Sequence, residues 1–461
     1  MLFKRLFTTP INHQSILSYE VKEVVFDGSI MYVCHFGKER IYYSAMRQFI
    51  ETNNDYQLVK DRFLAYSTVD NRDNLIKVTF SEGFPNSIIK DGRIHQCVEL
   101  NDGGLLVEVE NGEPLGNGCY VRQIYKICKF LEKKAVNNVI DIPQSNIIWK
   151  LTYINPLKVS PRTIRNSKGL EFTSSFSSGV KLLQCWGISC YESKVVMAGY
   201  DICGRNACVY YSEDNFETVK LIFNGASDSI QVNIEKVPIG FHPNSENILP
   251  SHSFDWNETG NGNVHVHGVC YDPYYERIWI TTGDGGSLNK RVTGIFYTDD
   301  LGNTWHFVRL DRFGFFLKKS TQLLSIIPMK DIVLFTTDGY GDGFYRYKRN
   351  GKNKKVTLKY AYGYTGKRTI LSTIAAGSCY TQDGGIITVF PYGKLTPDTL
   401  NRIKCGLVYT HDGCSFRVLL QEKKPVGNVE NSVIHRRSII REYDGEILCS
   451  SYNGGYLSVK Y

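Results

Sequence analysis

The sequence has few of the features that mark helical or membrane-spanning proteins. It contains 5 Met and 14 Pro among 461 residues, and no apolar run approaches the length that crosses a bilayer. The N-terminal MLFKRLFTTP has two basic residues, but the apolar core of a secretory signal does not follow them. We therefore expect a cytoplasmic protein without a membrane span.

Paired cysteines and blocks of like charge are also lacking. The 13 cysteines include no C-x-x-C pair, which favours reduced, mostly buried thiols over a disulfide framework or a zinc site. No metal or cofactor is expected. Lys and Arg number 54 against 46 Asp and Glu, a net charge of +8 spread along the chain. This charge favours an acidic ligand, and the absence of basic clusters interleaved with aromatics argues against a nucleic-acid partner. The oligomeric state cannot be read from these patterns.

Short strand-like runs and tight turns are abundant. There are 30 Tyr, 24 Phe and 41 Gly, and Tyr, Val, Ile and Phe runs are bounded by Gly, Asp and Asn. Segments starting at Val195, Ile278 and Ile386 repeat one pattern of strand, Gly/Asp-containing loop, strand, Asp-containing turn and strand. A further strand and a tight turn precede each segment. Comparable turns between the first and second strands of a unit, called first turns here, are predicted near Asp27, Asp102, Tyr191, Pro273, Lys330, Asp383 and Asp444.

This repeat predicts an all-β protein, a β-propeller of four-stranded antiparallel blades. Seven blades are predicted, with six as the alternative, in a single domain over residues 1–461. Residues 20–180 are expected to form less regular early blades, and residues 182–461 the more regular ones. The last unit has three strands before the chain ends, so a strand within residues 1–10 is expected to close the ring.

One turn carries a recognisable motif. Residues 297–305 read YTDDLGNTW, which resembles the Asp box of the sialidase superfamily, Ser/Thr-x-Asp-x-Gly-x-Thr-Trp, with Thr298, Asp300, Gly302, Thr304 and Trp305 at the matching positions. Ser212, Asp214 and Thr218 form a degraded copy in which Phe216 stands at the Gly position. A third copy, one residue shorter, has Thr410, Asp412, Ser415 and Phe416.

The resemblance implies a structural role for the boxes. The Asp carboxylate is expected to accept backbone N–H bonds in the turn between the third and fourth strands of a blade, and the aromatic residue to pack between blades. In the superfamily these turns lie on the face away from the active site. Asp214, Asp300, Trp305 and Asp412 are therefore assigned to the fold rather than to chemistry.

Histidine is concentrated in one short window. Four of the ten His fall between positions 242 and 267, in a segment that leads into a predicted innermost strand. With a period of two, His265 and His267 should share one face of that strand. We predict that they form a base and its partner, with Asp284 as a third catalytic candidate. One alternative is that the two imidazoles bind a metal ion, with Asp284 or His252 as a third ligand. The other is that both only form hydrogen bonds within a polar channel wall.

Other polar residues are expected at the same channel mouth. In a propeller the first strand of each blade lines the central channel, so the site face is built from the starts of first strands and from the connections between second and third strands. The predicted substrate-binding residues there are Arg205, Arg368, Arg436, Asp201, Asp338, Tyr392 and Lys290. Guanidinium groups suit carboxylates because two parallel N–H bonds match two oxygens.

Two functions remain open. The first is a carbohydrate-active enzyme on an acidic oligo- or polysaccharide, acting by glycoside hydrolysis or by β-elimination at a uronate, in which His265 or His267 takes the C5 proton. The second is a non-catalytic propeller that binds a glycan or a protein partner, in a role such as polysaccharide biosynthesis.

Overall fold

The computed structural model describes part of the chain, and the statements below concern that part. The described residues are 19–22, 24–26, 29–30, 33–44, 49–52, 55–58, 64–80, 93–115, 119–143, 147–153, 162–165, 171–174, 187–198, 208–224, 231–233, 265–283, 294–308, 323–337, 344–349, 356–360, 377–392, 404–413, 415–421, 434, 438–451 and 455–460. Regular structure in these ranges is β, apart from a 3-10 turn at Phe130–Glu132. No helix in these ranges could cross a membrane.

Seven sheets of four or five strands form the body of the protein, and each is called a blade here. The strands are given from the innermost outwards. Blade 1 contains Val33–Phe36, Arg40–Ser44, Leu64–Thr68, Ile76–Phe80 and Val139–Ile142. Blade 2 contains Arg93–Glu99, Leu105–Leu115, Cys119–Ile127 and Ile147–Tyr153. Blade 3 contains Ile188–Tyr191, Lys194–Ala198, Cys208–Ser212 and Lys220–Asn224.

The remaining four blades follow the same antiparallel order. Blade 4 contains His265–Asp272, Arg277–Gly283, Gly294–Thr298, Thr304–Val308 and Gln231–Asn233. Blade 5 contains Leu323–Pro328, Ile332–Thr337, Phe344–Lys348 and Val356–Tyr360. Blade 6 contains Ser378–Tyr380, Ile386–Tyr392, Lys404–Thr410 and Arg417–Gln421. Blade 7 contains Ile440–Tyr443, Glu446–Ser450, Tyr456–Lys460 and Tyr19–Lys22.

The structure also describes three two-stranded ribbons and two outer strands, each of which runs parallel to the edge strand of a blade. The ribbons pair Val25–Phe26 with Ser29–Ile30, Phe49–Thr52 with Asp55–Leu58, and Arg162–Arg165 with Glu171–Ser174. Val139–Ile142 runs parallel to the edge of blade 1, and Gln231–Asn233 runs parallel to the edge of blade 4. Each added strand covers an edge whose N–H and C=O groups would otherwise lack partners.

Buried apolar clusters join every blade to the next, so the blades form a closed ring. One cluster lies at each interface; the interface of blades 3 and 4, for example, buries Val209, Phe223, Val269 and Trp305. A sheet that is apolar on both faces must be covered on both sides, and the ring does this for all seven. The all-β, seven-bladed prediction is therefore confirmed.

The N-terminal part of the chain closes the ring. Tyr19–Lys22 pairs antiparallel with Tyr456–Lys460 and supplies the fourth strand of blade 7. The segment expected to do this, residues 1–10, lies outside the described residues. Across the junction of blades 7 and 1, Arg72 forms two hydrogen bonds with the carboxylate of Glu446, and the Tyr443 hydroxyl donates to the carbonyl oxygen of Gly37.

Six of the seven predicted first turns join the first and second strands of a blade, but the one near Asp27 does not. Asp27 falls between the strands of the ribbon Val25–Phe26/Ser29–Ile30, and the first turn of blade 1 is at residues 37–39. Because the strands alternate in direction, first turns and third-to-fourth turns lie at the same end of every blade. We call this end the short-turn face, with first turns at residues 37–39, 100–104, 192–193, 273–276, 329–331, 381–385 and 444–445.

Candidate functional site

The turn at Thr298–Thr304 has the hydrogen bonds expected of an Asp box. The Asp300 carboxylate accepts from the Thr304 N–H at 2.8 Å and from the Thr304 hydroxyl at 2.6 Å. Thr298 Oγ1 donates to Asp300 at 2.8 Å and accepts from the Gly302 N–H at 2.9 Å. Gly302 has φ +89°, and a Cβ at this position would lie 2.3 Å from the Ile222 carbonyl oxygen, so a side chain there would clash and strain the turn.

The two degraded copies make the same bonds. In blade 3, Asp214 accepts from the Thr218 N–H at 2.9 Å and from its hydroxyl at 2.7 Å, although Phe216 replaces the glycine and adopts φ +69°. In blade 6, Asp412 accepts from the Ser415 N–H at 2.7 Å and lies 3.4 Å from the Ser415 hydroxyl. All three turns lie on the short-turn face.

These bonds shift the carboxylate pKa values. Burial raises the pKa of Asp214, but bonds from Thr218 and Ser212 outweigh it and lower the pKa to about 2. The pKa of Asp300 is lowered in the same way, with burial opposing the bonds from Thr304 and Thr298. Both groups are held ionised as acceptors, which suits a turn and not a proton donor.

Aromatic residues after the boxes pack between blades. Trp305 is fully buried, and its ring contacts Phe223 of blade 3 edge-on at 5.2 Å between centroids. Phe416 stacks on Phe344 of blade 5 at 4.9 Å. The structural role assigned to the boxes is therefore seen in their geometry.

Most of the predicted channel-mouth residues lie outside the described residues. These are Asp284, Arg205, Arg368, Arg436, Asp201, Asp338 and Lys290. Two others are placed by the backbone: His265 begins the first strand of blade 4 opposite Gly283, and Tyr392 ends the second strand of blade 6 opposite Lys404. Both positions are at the end of their blade opposite to the short-turn face, and the roles assigned to these residues stay predictions.

His267 was expected to face the mouth of the channel, but its side chain is buried. Its side chain is 1% exposed, and Nδ1 lies 3.0 Å from the carbonyl oxygen of Leu323 in blade 5. The strand is bulged between Val266 and Gly268, so strict alternation, on which the shared face with His265 was argued, fails here. The bulge brings Gly268 so close to blade 5 that a Cβ would lie 2.1 Å from the Leu324 carbonyl oxygen. His267 therefore packs between blades and presents no surface to a substrate.

A cavity of about 320 Å³ lies in the central channel. The innermost strands of blades 1, 2, 3, 6 and 7 line it, together with first-turn residues such as Lys38 and Asn101, so it reaches the short-turn face. Its polar lining comprises His35, Lys38, Glu99, Asn101, Cys190, Glu192, Ser378 and Arg441. Converging polar groups in a channel between repeats are typical of ligand sites. Within the described residues, no group of three His, Cys, Asp or Glu could hold a metal ion.

One wall of the cavity is fixed by Glu99. Its side chain is 2% exposed, its carboxylate accepts from the Lys38 N–H at 2.5 Å, and it lies 3.5 Å from Arg40 Nη1. Gly37 permits this contact, since a Cβ there would lie 1.7 Å from Glu99 Oε2. Glu99 is thus already paired and holds the wall in place.

Arg441 is the cation of the cavity that is open to a ligand. It is exposed, and among the residues that the structure describes none forms an ion pair with it. Lys38 Nζ donates to Asn101 Oδ1 at the same rim, and Glu192 adds an exposed carboxylate. Burial, then Glu99, raises the pKa of the Cys97 thiol, so it stays protonated. The described groups are suited to binding an anion and hydroxyl groups.

Sequence reasoning missed this cavity because its residues come from five blades. One partial signal was available: the pair Cys-Tyr occurs at residues 119–120, 190–191, 270–271 and 379–380. The last three pairs lie at or one residue before the end of a first strand, whereas the pair at 119–120 begins the third strand of blade 2. Those three pairs mark the rim of the channel on the short-turn face, where Cys190 lines the cavity.

No protein-family model and no curated protein matches the chain. Among solved structures, virginiamycin B lyase from Staphylococcus aureus aligns with 96% of this chain and 100% of its own at 9% identity and TM-score 0.44. YCF48 from Cyanidioschyzon merolae covers 95% and 98% at 9% identity and TM-score 0.41.

A Trypanosoma rangeli sialidase aligns with 80% of this chain at 12% identity and TM-score 0.39, and the chain spans about half of that sialidase, 55% of its length. At such identities the likeness concerns the fold alone. The strand order, the closed ring and the three Asp-box turns make this protein a sialidase-like β-propeller with seven blades.

Proposed function

We propose that the protein binds an acidic oligosaccharide, with the central cavity as the site. The observation that carries the proposal is Arg441, an exposed guanidinium in the cavity wall without a carboxylate partner among the described residues. A guanidinium binds a carboxylate through two parallel N–H bonds. Lys38, Asn101 and Glu192 offer further polar contacts to sugar hydroxyls, and the net charge of +8 favours an acidic ligand.

Binding to short oligosaccharides tests this proposal. Calorimetric titration with di- and tetragalacturonate and with disialate should give at least about tenfold weaker binding to Arg441→Ala than to the wild type, because the ligand carboxylate loses its bidentate partner. Arg417→Ala is the matched control: Arg417 is also exposed but lies over the Tyr409 ring in blade 6, outside the cavity. Equal losses in the two variants would show general charge attraction and contradict the proposal.

Catalysis at the opposite mouth is a second candidate. The observation in its favour is that blade 4 starts at His265 and its second strand ends at Gly283, directly before Asp284, on the face where members of the superfamily have their active sites. Together with Arg205, Arg368 and Arg436, these residues could act on an acidic glycan by hydrolysis or by β-elimination. Asp201, Asp338, Tyr392 and Lys290 remain predicted substrate contacts.

In the elimination, a base removes the C5 proton of the uronate. The electron pair forms the C4–C5 double bond, the C4–O bond breaks, and the leaving sugar oxygen takes a proton. His265 is the base in this scheme, since His267 is buried.

An activity screen separates this candidate from binding alone. Absorbance of an unsaturated product reports a lyase, and new reducing ends report a hydrolase. His265→Ala should abolish the activity, whereas Arg441→Ala should raise KM and leave kcat within about twofold, because it removes ground-state binding. An unchanged rate in His265→Ala would exclude the histidine mechanism.

A further inference from the structure

The exposed aromatic rings of the described residues all lie on one face. They are Tyr191, Tyr274, Tyr275 and Tyr380, between 41% and 52% exposed. Each lies at the end of a first strand or in a first turn of blades 3, 4 or 6. We call these four residues the tyrosine surface. Rings gathered on one face of a protein, instead of being scattered singly, indicate an interaction site.

The rings of the tyrosine surface are held in place. Tyr191 stacks on Tyr271 at 5.9 Å between centroids with an interplanar angle of 29°. Lys194 also contacts Tyr271, with its Nζ donating to the hydroxyl at 2.8 Å and lying 4.8 Å from the ring centroid. The Tyr380 hydroxyl donates to the Pro328 carbonyl oxygen at 2.7 Å. Rings fixed before binding lose little conformational entropy when a ligand packs on them.

A buried ion pair fixes the turn that carries Tyr274 and Tyr275. Asp272 accepts from the Tyr274 N–H at 3.1 Å and from Trp279 Nε1 at 2.9 Å, and it pairs with Arg349. The Arg349 guanidinium lies 4.6 Å from the centroid of the Tyr275 ring and 5.6 Å from that of Tyr274. The turn is therefore anchored to both blade 4 and blade 5.

The tyrosine surface adjoins the cavity. In the first strand and turn of blade 3, Cys190 and Glu192 line the cavity and Tyr191 stands between them. In blade 6, Ser378 lines it two residues before Tyr380. A cavity of about 320 Å³ is at the small end of the ~300–1,000 Å³ range of ligand pockets. A ligand longer than the cavity must therefore continue over its rim.

We infer that the glycan chain runs from the central cavity over the tyrosine surface, so that the ligand is an oligomer recognised over several sugar units. An aromatic ring offers a flat apolar face to the C–H groups of a sugar ring, and a tyrosine adds a hydroxyl for hydrogen bonds. The inference rests on the proposed function and assigns a second, uncharged part to that site. It also places recognition on the face that carries the Asp boxes.

A chain-length series tests the inference. Oligogalacturonates of two, four and eight units are titrated into the wild type, Tyr191→Ala/Tyr275→Ala and Tyr191→Phe/Tyr275→Phe. The wild type should bind the octamer at least about tenfold more tightly than the dimer. The Ala pair should lose that gain while binding the dimer as the wild type does, and the Phe pair should keep most of it because the rings remain. Val136→Ala is the control for an exposed apolar residue elsewhere, since Val136 is 70% exposed.

The outcomes separate this inference from the proposed function. The inference that the glycan runs over the tyrosine surface is overturned by either of two results. One is that the Ala pair keeps the increase in affinity from dimer to octamer. The other is that the wild type binds dimer and octamer equally. Loss of dimer binding in Arg441→Ala still supports the cavity in those cases. Conversely, if Arg441→Ala binds the dimer like the wild type, the proposed function fails whatever the tyrosines do. Circular dichroism and thermal melting of each variant check that it is folded.

Discussion

The two faces of the propeller are built differently. On the short-turn face, the connections are short, and the carboxylates of Asp214 and Glu442 accept backbone N–H bonds in the turns at residues 213–219 and 444–445. At the opposite end, residues 225–264 separate the last strand of blade 3 from the first strand of blade 4, and residues 361–377 separate the last strand of blade 5 from the first strand of blade 6. A short turn bonded to its own carboxylate has little freedom to vary, whereas long connections are where binding residues can be added without disturbing the blades.

This difference bears on where the function lies. The resemblance to sialidases points to the face with the long connections, and the predicted His, Arg and Asp residues were placed there. The described cavity and the tyrosine surface lie on the other face, next to the turns that hold the fold. If both proposals hold, the short-turn face binds the glycan, and residues of the long connections between blades catalyse any reaction.

Among substitutions near the short-turn face, we expect the largest loss of unfolding free energy from a change at Trp305. Trp305→Ala should lower the free energy of unfolding by about 3–5 kcal/mol, because it leaves a cavity between blades 3 and 4. Urea denaturation measures the loss. Trp305→Phe should recover part of it, since the edge-on contact with Phe223 can be kept. A loss below about 1 kcal/mol would show that this interface does not hold the ring.

The Asp boxes should differ from one another in how much each contributes to the free energy of unfolding. Asp300→Ala removes three hydrogen bonds of 2.6–2.8 Å and should cost about 2–3 kcal/mol of unfolding free energy. Asp412→Ala should cost less, because its bonds with the Thr410 and Ser415 hydroxyls within the box are 3.4 Å long, against 2.6–2.8 Å for the corresponding bonds of Asp300. The same denaturation experiment compares the two variants. Equal losses would contradict the view that bond geometry decides the contribution of each box.

The junction of blades 7 and 1 should depend on pH. The bonds from Arg72 lower the pKa of Glu446 below its ordinary value of 4.5, in spite of partial burial. A carboxyl whose pKa is lowered in the folded state stabilises the fold above its unfolded pKa, and the effect is lost as the pH falls through the folded value. Glu446→Gln should therefore cost about 1 kcal/mol at pH 7 and progressively less below pH 4.5.

Denaturation at pH 7 and in acid checks this prediction against Glu276→Gln, an exposed residue in the first turn of blade 4. A cost for Glu446→Gln that does not shrink in acid would mean that the ion pair is not the source of the stabilisation.

The blade plan could be predicted because it depends on local patterns. YTDDLGNTW and the Asp-Gly turns fix hydrogen bonds within a few residues, so six of seven first turns were found. The first turn of blade 1 was missed because it is Gly37-Lys38-Glu39, where glycine is needed for contact with Glu99, a residue of another blade. The bulge at His267 was missed for the same kind of reason, since the close contact of Gly268 with Leu324 exists only after blades 4 and 5 pack.

The candidate site was less accessible to sequence reasoning. Lys38, Glu192 and Arg441 lie more than 150 residues from one another in the sequence and meet only because their strands line one channel. The histidine cluster drew attention to blade 4, where one imidazole proved to be packed between blades. The Cys-Tyr pair was only a partial signal, because three of its four occurrences lie near the end of a first strand and the fourth, at residues 119–120, does not.

The central claim is that an acidic glycan binds at the short-turn face, and hydrogen–deuterium exchange with and without octagalacturonate tests it most directly. The account predicts slower exchange on ligand addition in peptides covering residues 35–44, 97–106, 187–195 and 438–446, which line the cavity or form its rim. Protection confined to peptides covering residues 265–268, 281–283, 335–337 and 390–392, where first strands begin or second strands end, would place the ligand at the opposite mouth and contradict the claim.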